Sequence, residues 1–355
     1  MSFARELIAW YQANGRDLPW RATQDPYIIW LSEVILQQTR VEQGMPYFYR
    51  FVESYPTVSH FAEAPEDDIL RLWQGLGYYS RARNMHKAAK LVLSEFKGVF
   101  PVTYADLIRL PGVGEYTAAA ISSFSSNEAK AVVDGNVYRV LARYFGIDEA
   151  INGTAGKKIF ASLAEELLDK ERPGLYNQAI MDFGALQCKP KSPFCGTCVF
   201  QVDCQAYREG KVNVLPVKHK AKASRNRYFH YFIVQKDNQL LMSQRGAGDV
   251  WTGLYEFPML ETAESMTVEQ LFEQELFKGC FAETAVLEPL GAITKQVLSH
   301  QNIYARFYRL DDAEKVRNKK SEWNYFLLEK LDSLAKHKLI FSFLEENKEL
   351  INLKL

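Results

Sequence analysis

The sequence has no excess of charge of either sign, no long apolar run and no secretion signal. Its 355 residues include 43 Lys plus Arg and 43 Asp plus Glu, so the formal net charge is zero. Taken alone, this balance argues against a nucleic-acid-binding protein, because such proteins are usually basic. The longest apolar runs, such as residues 28–31, are much shorter than the ~20 residues that a membrane-spanning helix needs. Since no basic segment with an apolar core opens the chain, we predict no signal peptide and a cytoplasmic location.

Cysteine is also scarce, and its distribution is uneven. Of five cysteines, four lie close together with the spacing C-x6-C-x2-C-x5-C, whereas Cys280 is isolated. Because disulfides are disfavoured in the cytoplasm, a cluster of this kind usually binds metal there. Its thiolates can surround either an iron–sulfur cluster or a zinc ion. The four residues are Cys188, Cys195, Cys198 and Cys204. An isolated cysteine such as Cys280 is typical of a small buried apolar side chain.

The apolar residues follow different periods in the two parts of the chain. A hydrophobic content of 47% with 24% charged residues excludes a disordered or collagen-like protein. Residues 1–206 have helical periodicity and no convincing strand-like alternation. Strands are predicted over 228–234, 240–242, 291–297 and 303–310, and a helix over 339–349. We therefore predict a multidomain protein with an all-α region over 1–206 and an α+β domain over 228–355.

A basic stretch separates the two parts. Residues 207–227 have little apolar periodicity and are predicted to be an interdomain linker. The basic side chains there, opposed by Glu209, are Arg208, Lys211, Lys218, Lys220, Lys222, Arg225 and Arg227. The zero net charge is therefore an average over unlike parts, and a local basic surface can still contact phosphates.

A tight turn, Pro111-Gly112-Val113-Gly114, lies between two helical patterns. Glycine lets the backbone approach a ligand closely, and the free N–H groups that open the second helix can bind an anion. A G-x-G sequence alone is most often only a turn. Its position before a helix makes this segment a candidate anion-binding backbone.

Two carboxylates are placed where they can act in catalysis. Asp134 directly precedes a helical pattern, so we predict that it caps that helix, whose N–H groups keep a carboxylate ionised. An ionised carboxylate stabilises the sugar cation of glycoside hydrolysis. Glu33 lies on a predicted helix among largely apolar neighbours, and burial raises the pKa of such a group. We therefore predict that Glu33 holds a proton near neutrality and acts as a general acid.

Together these motifs resemble those of a known family. The cysteine spacing and L-P-G-V-G-x-x-T-A over 110–118 resemble the endonuclease III superfamily of DNA glycosylases. S-E-V-I-L-Q-Q-T-R-V over 32–41, with D-L-P-W-R over 17–21, resembles the MutY-type adenine DNA glycosylases. The resemblance implies a helix-hairpin-helix region with a six-helix module over 16–125. It further implies an iron–sulfur module, formed by the N-terminal helix and 126–206, with a [4Fe–4S] cluster on the four cysteines.

The resemblance also implies the substrate and the catalytic roles. The substrate is duplex DNA with adenine mispaired with 8-oxoguanine or guanine, and the adenine is flipped out of the helix. Glu33 protonates the adenine, and Asp134 stabilises the sugar cation or transiently bonds to it, while Tyr116 and Asn136 support this pair. Bifunctional relatives carry a lysine at the position of Tyr116, and a phenol cannot form their imine. We therefore predict a monofunctional glycosylase of base excision repair. The alternatives are a bifunctional glycosylase/lyase and a non-catalytic lesion binder.

Further contacts to the DNA are implied in the same way. The adenine pocket comprises Arg16, Trp20, Arg21 and Gln178. Gln178 departs from the glutamate common in the family, although an amide can still hydrogen-bond a base. A DNA phosphate is held by Gly112, Val113 and Gly114. The residues expected to wedge the duplex around the lesion are Gln37, Gln38, Thr39, Leu76 and Tyr78.

The C-terminal part resembles the Nudix hydrolase MutT, which implies an α+β Nudix-like domain for lesion recognition. Residues 251–258, W-T-G-L-Y-E-F-P, carry this resemblance. Residues 269–276 lack the arginine and the carboxylate spacing of a working Nudix box, so we predict no pyrophosphatase activity. Ser299 and His300 resemble the family's lesion-reading Phe-Ser-His loop, with Leu298 in place of the phenylalanine. We expect a monomer, associated with the nucleoid and not with membranes.

Overall fold

The chain forms two compact units in a computed structural model that describes residues 2–220 and 224–349. The first unit comprises Met1–Glu63 with Asn84–Lys220, and the second comprises Ala64–Arg83 with Ala221–Leu355. In the described part of the chain, no helix is both long and apolar enough to cross a membrane. The linker residue Lys222 and the last six residues of the predicted C-terminal domain lie outside the described residues.

Helices account for the first unit and part of the second. In chain order they are α1 (Phe3–Asn14), α2 (Pro26–Ile35), α3 (Val41–Ser54), α4 (Val58–Glu63), α5 (Glu66–Leu72), α6 (Ser80–Phe96), α7 (Tyr104–Leu107), α8 (Glu115–Ser126), α9 (Gly135–Phe145), α10 (Thr154–Leu167), α11 (Pro173–Asp182), α12 (Gln205–Arg208), α13 (Val268–Phe272), α14 (Glu275–Cys280) and α15 (Lys338–Glu346). Short 3-10 turns lie at Pro19–Arg21, Cys195–Thr197, Ala313–Lys315 and Leu328–Ser333, and a π-helical turn at Phe183–Gln187.

End caps and apolar faces explain the helices that carry the site. Pro26 opens α2, and the Asp25 carboxylate caps it by accepting a hydrogen bond from the N–H of Tyr27 (2.9 Å). The apolar faces of α1, α9 and α10 meet in one core, where Leu7, Leu141 and Phe160 are fully buried. The prediction of an all-α region is confirmed, because the described strands all lie after residue 224.

The second unit contains the β-structure. Its strands are β1 (Arg225–Ile233), β2 (Gln235–Lys236), β3 (Gln239–Gln244), β4 (Tyr255–Glu256), β5 (Met259–Thr262), β6 (Leu287–Val297), β7 (Gln301–Leu310) and β8 (Trp323–Leu327). One sheet has the order β5-β1-β7-β6, with β1 and β7 parallel and the other neighbours antiparallel. In the other sheet, β3 pairs with β2, β4 and β8. This mixture confirms the predicted α+β domain.

The first strand begins inside the stretch that the sequence predicts as a linker. Arg227 on β1 is only 6% exposed, and its guanidinium forms ion pairs with Asp249 (2.6 Å) and Glu261 (2.6 Å). Its charge is therefore compensated within the unit, so the expectation that Arg227 adds to a phosphate-binding surface is corrected. Arg225, on the same strand, remains exposed. The tertiary pairing of β1 separates these two arginines, which look alike in the sequence.

Residues 64–83 belong to the second unit although they lie within the region 1–206. The Tyr79 hydroxyl donates to the backbone carbonyl of Lys336 (3.0 Å), and the Lys336 N–H donates to Gln74 Oε1 (3.1 Å). Arg83 Nη1 donates to the carbonyl of Thr252 (2.6 Å). These bonds join positions more than 160 residues apart, which local sequence patterns do not reveal.

Candidate active site

Glu33 lies on α2 and is almost completely buried, with 8% of its surface exposed. Burial raises the pKa of Glu33 to about 7, and the nearby Asp134 adds to this shift. A hydrogen bond from Tyr116 and the charge of Arg21 act in the opposite direction. The carboxyl group therefore gains and loses a proton near neutral pH, which agrees with the raised pKa expected from its apolar neighbours.

Tyr116 lies in the first turn of α8 and points its hydroxyl at Glu33. The phenol donates a hydrogen bond to Glu33 Oε2 at 2.7 Å. Burial raises the pKa of Tyr116 well above its ordinary value, and the two neighbouring carboxylates add to the shift. The phenol therefore stays neutral and orients the Glu33 carboxyl, but it offers no amine for an imine.

Asp134 caps α9 and is close enough to Glu33 to raise the pKa of that group. Its Oδ1 accepts hydrogen bonds from the backbone N–H of Asn136 (2.9 Å) and Val137 (2.8 Å). Its Oδ2 accepts one from the side-chain amide of Asn136 (2.7 Å). Burial raises the pKa of Asp134, and these donors oppose the shift. The structure thus brings Glu33, Tyr116, Asp134 and Asn136 together in one group of interacting side chains.

Arg16 and Arg21 bind a carboxylate that the sequence reasoning missed. Asp182, the last residue of α11, is fully buried. It accepts hydrogen bonds from both terminal nitrogens of Arg21 (2.7 and 2.8 Å) and from the backbone N–H and Nε of Arg16 (2.9 and 3.0 Å). Although burial favours the neutral acid, these bonds and charges lower the pKa of Asp182 to about 2. One feature of the sequence could have indicated this buried carboxylate: Asp182 is an acidic residue within the apolar stretch 179–183.

The other two predicted pocket residues lie in different surroundings. Trp20 is buried and packs edge-to-face on Phe48 of α3, with ring centroids 5.0 Å apart. Gln178 on α11 accepts a hydrogen bond from the Tyr11 hydroxyl through Oε1 (2.9 Å). Residues four apart share a helix face, so Gln178 and Asp182 lie on the same side of α11. Their roles towards adenine stay predictions.

The glycine turn joins α7 to α8, as the hairpin motif predicts. Gly112 has a φ of 80°, and a Cβ atom there would lie 2.7 Å from the Cβ of Asn84. Gly114, the residue before α8, has an extended backbone. Because it has no side chain, it cannot cap the N–H groups in the first turn of α8. Val113 is buried and anchors the turn. This geometry suits a backbone contact to an anion.

Replacing Gly112 by alanine should destabilise the hairpin. The left-handed φ and the clash with Asn84 should cost about 1–3 kcal/mol of stability. Gly114→Ala is the matched variant, because a Cβ there meets no described atom within 4 Å. Thermal unfolding should distinguish the two, with a lower Tm for Gly112→Ala alone; equal Tm values would contradict the strained turn.

The predicted wedge residues 37–39 form a turn after α2. Gln37 Nε2 donates to Thr117 Oγ1 of α8 (3.2 Å), and Thr39 Oγ1 is 3.4 Å from the Gln37 carbonyl. Gln38 is exposed with a left-handed φ of 57°. The turn therefore holds Gln37 and Thr39 close to the protein and leaves Gln38 on the surface.

The other predicted wedge residues and the lesion loop lie in the second unit. Leu76 is buried, whereas Tyr78 is 49% exposed with a left-handed φ of 48°. The Tyr78 hydroxyl is 2.7 Å from Ser299 Oγ. Ser299 and His300 are exposed in the turn between β6 and β7. The structure thus unites Tyr78 with Ser299 across 221 positions of sequence.

All four clustered cysteines line one cavity of the first unit, together with Arg143 and Phe200 among others. Arg143 Nη1 lies 3.4 Å from Cys188 Sγ. Burial raises the pKa of Cys198 to about 11, and neighbouring thiolates contribute to this shift. Such a set of thiols carries its charge only beside cations, so the donor set fits an iron–sulfur cluster or zinc. Within the described chain, no group of three His, Cys, Asp or Glu side chains lies close enough together to hold one metal ion.

Proteins of similar sequence decide the family. The chain is 34% identical to the adenine DNA glycosylase of Buchnera aphidicola subsp. Acyrthosiphon pisum (strain APS) over 267 aligned residues. The alignment covers 75% of this chain and 76% of that protein. The chain is also 34% identical to the adenine DNA glycosylase of Mus musculus, over 87% of this chain and 70% of that protein. The chain belongs to the adenine DNA glycosylase family.

Two family models match separate parts of this member of the adenine DNA glycosylase family. Residues 31–168 match the HhH-GPD superfamily base excision DNA repair protein, and residues 230–346 match the NUDIX domain. The structure of a thermostable thymine-DNA glycosylase is similar with a TM-score of 0.55 at 30% identity, covering 58% of this chain and 95% of that one. The predicted family, fold class and enzyme class are thereby confirmed.

Proposed function

We propose that this glycosylase releases adenine mispaired with 8-oxoguanine or guanine from duplex DNA, by hydrolysis and without cutting the backbone. The observation that supports this reaction most directly is the buried Glu33 carboxyl, whose pKa is about 7 and which accepts a hydrogen bond from Tyr116. A group with this pKa holds a proton for a leaving base at neutral pH. The relatives that the chain matches are named adenine DNA glycosylases, so we propose adenine as the base.

The reaction needs a proton donor and a stabiliser of positive charge. Protonated Glu33 gives its proton to a ring nitrogen of the flipped adenine. The bond between the sugar C1′ and the base nitrogen then breaks, and its electron pair leaves with adenine. The Asp134 carboxylate, held by Asn136 and Val137, stabilises the sugar cation. Water attacks C1′ and gives a proton to the Glu33 carboxylate, which restores the acid.

Tyr116 supports hydrolysis rather than a lyase reaction. Its neutral phenol lies at the position where the bifunctional relatives carry an amine, and it cannot form an imine with C1′. Water is therefore the nucleophile that completes the reaction.

The activity is tested with a duplex that contains adenine opposite 8-oxoguanine. We expect free adenine, with strand scission only after alkali treatment. Scission without alkali, together with a covalent adduct trapped by borohydride, would instead show a bifunctional enzyme. If the intact protein released no adenine, the protein would instead be a non-catalytic binder of DNA lesions.

The surroundings of the site define the proposed DNA contacts. We assign the adenine pocket to Arg16, Trp20, Arg21 and Gln178, and phosphate contact to the Gly112–Val113–Gly114 backbone. The wedge residues and the Ser299–His300 turn are proposed to hold the duplex at the lesion. The division into 1–206, 207–227 and 228–355, the monomeric state and the association with the nucleoid stay predictions.

Ser299→Ala should reduce the preference for 8-oxoguanine over guanine opposite the adenine. Ser299 Oγ is exposed beside the Tyr78 hydroxyl, so its loss removes a hydrogen-bonding group worth about 1 kcal/mol. We expect a roughly fivefold lower ratio of the two adenine-release rates. Tyr78→Phe tests whether the pair acts as a unit. Strictly additive losses in the double variant would contradict that coupling.

We further propose that Cys188, Cys195, Cys198 and Cys204 hold a structural [4Fe–4S] cluster. When bound, the cluster supplies the cations that compensate four thiolates and fastens the loop that carries them. Arg139 and Arg143 support the same loop, because their guanidinium groups donate to the Cys188 carbonyl (2.7 Å) and the Lys189 carbonyl (2.7 Å).

The purified protein should be brown and contain about four irons per chain. Cys198→Ser should lose iron and unfold at lower temperature, because one ligand of the cluster is missing. Cys280→Ser is the matched control: this buried cysteine of the second unit should leave the iron content unchanged. A colourless protein with one zinc per chain would overturn the cluster assignment.

A further inference from the structure

Asp182 is unusual because its fully buried carboxylate accepts hydrogen bonds from two arginines. Arg16 lies in the loop after α1, and Arg21 ends the 3-10 turn Pro19–Arg21. Both guanidinium groups reach the C-terminal end of α11 and donate to the same carboxylate. Arg21 adds a hydrogen bond from Nη1 to the Arg16 carbonyl (3.0 Å), which ties the Arg21 side chain to the backbone of Arg16.

The cluster does not neutralise itself. Two guanidinium charges face one carboxylate, which leaves an excess of one positive charge. The Arg21 side chain is 12% exposed, so water screens it little, and its charge acts on Glu33. The other titratable groups that act on Glu33 are Tyr116 from α8 and Asp134 at the start of α9. Arg21 is thus the cationic member of this set.

We propose that Asp182 is a positioning residue, whose buried carboxylate holds Arg16 and Arg21 in place and so sets the positive charge that the Glu33 carboxyl meets. This inference rests on the proposed role of Glu33 as the proton donor. The bidentate geometry fixes the Arg21 plane. Both terminal nitrogens of Arg21 are thereby bonded to Asp182 and not to Glu33, where a direct ion pair would favour the ionised form of the proposed acid.

The sign of the effect of removing Asp182 follows from this geometry. Asp182→Asn keeps the shape but removes the negative charge, so Arg16 and Arg21 lose their counterion. A cation that is free to approach a carboxyl lowers the pKa of that carboxyl, by about one unit or more at close range. The pH at which Glu33 loses its proton should therefore fall by about one unit in Asp182→Asn. Asp182→Glu restores the charge and should move it back towards the wild-type value.

Arg21→Gln provides a variant of opposite sign. It removes the positive charge that acts on Glu33 and leaves Asp182 paired with Arg16. The midpoint of the Glu33 titration should then rise instead of fall. Arg16→Gln, at a partly exposed side chain, keeps Asp182 paired with Arg21 and is the control whose midpoint should stay near the wild-type value.

The decisive measurement is the midpoint of the Glu33 carboxyl titration, followed by 13C NMR in the full-length protein without DNA, with Glu33→Gln to assign the resonance. It is accompanied by the pH dependence of single-turnover adenine release. We expect the midpoint and the descending limb of the rate profile to fall together in Asp182→Asn and to rise in Arg21→Gln. An unchanged midpoint in Asp182→Asn, with only a lower Tm or a uniformly lower rate, would overturn the proposal and leave Asp182 a purely structural residue.

The two possible failures are distinguishable. If the wild-type protein released no adenine, the proposed function would fail, while the NMR midpoints would still decide whether Asp182 controls the charge at Glu33. If adenine were released and the midpoints did not move, the function would stand and the positioning role would fall.

Discussion

Replacement of Glu33 by glutamine is expected to slow adenine release by about 10²- to 10⁴-fold, the usual contribution of a general acid. Glutamine has nearly the same shape and can still accept the hydrogen bond that Tyr116 donates at 2.7 Å. It has no proton to give to the leaving base. The single-turnover rate on a duplex with adenine opposite 8-oxoguanine measures this loss.

A second glutamate of the same unit provides the control. Glu128 accepts a hydrogen bond from the backbone N–H of Tyr104 (2.6 Å), and Glu128→Gln preserves an acceptor there too. We expect this variant to keep a rate close to that of the wild type. A similar loss in both variants would show that the effect of Glu33→Gln does not come from the missing acid.

The pH dependence tests the same assignment. The proposed acid is the protonated form of Glu33, so the wild-type rate should fall as pH rises through about 7, about tenfold per pH unit above it.

The stability of the protein should also depend on the ionisation of Glu33. Since burial raises the pKa from 4.5 to about 7, ionisation of Glu33 opposes folding. The penalty is absent below pH 4.5, grows up to pH 7 and reaches at most about 3 kcal/mol. Glu33→Gln should therefore gain stability over the wild type at pH 8 but not at pH 4, as measured by urea unfolding.

Asp134→Asn is expected to reduce adenine release by about 10²- to 10³-fold, the typical effect of removing one group that stabilises charge in the transition state. Asparagine caps a helix about as well as aspartate, so α9 should still begin at the same place. What the variant loses is the negative charge that is proposed to stabilise the sugar cation. The rate is measured on the same duplex, and thermal unfolding shows whether the fold is kept.

Asp25→Asn is the matched control for Asp134→Asn. Asp25 also caps a helix, because its Oδ1 accepts from the N–H of Tyr27 at the start of α2. Both variants exchange one capping residue for another, yet only position 134 lies at the proposed reaction centre. Equal losses of activity would assign the effect to the helix ends and not to the charge.

Much of the site was predictable because its chemistry is local in sequence. The glycine turn, the aspartate before α9 and the four cysteines each lie within one short segment, where spacing and backbone preference directly indicate the local structure. The raised pKa of Glu33 was predictable for a similar reason, since three of its helix neighbours are apolar and α2 had to be buried. Tyr116 indicated the type of reaction through the residue that it replaces.

Other features depend on contacts between distant parts of the chain. Asp182 reaches Arg16 across 166 positions, and no short pattern marks this pairing. Arg227 resembled a solvated linker residue until β1 placed it between Asp249 and Glu261. Tyr78 and Ser299 are likewise joined only through the fold of the second unit.

By itself, the sequence determined the family, through the resemblance of its motifs, and the helical and α+β parts, through short-range periodicity. It also predicted the two candidate catalytic carboxylates and the thiol cluster. Only the tertiary structure decided which charges meet inside the protein. A buried ion pair is stable only when geometry brings its partners within hydrogen-bonding distance, and that distance is a property of the packed helices and strands. The pairing of Asp182 with the two arginines was therefore apparent only in the tertiary structure, where α11 packs against the segment that carries Arg16 and Arg21.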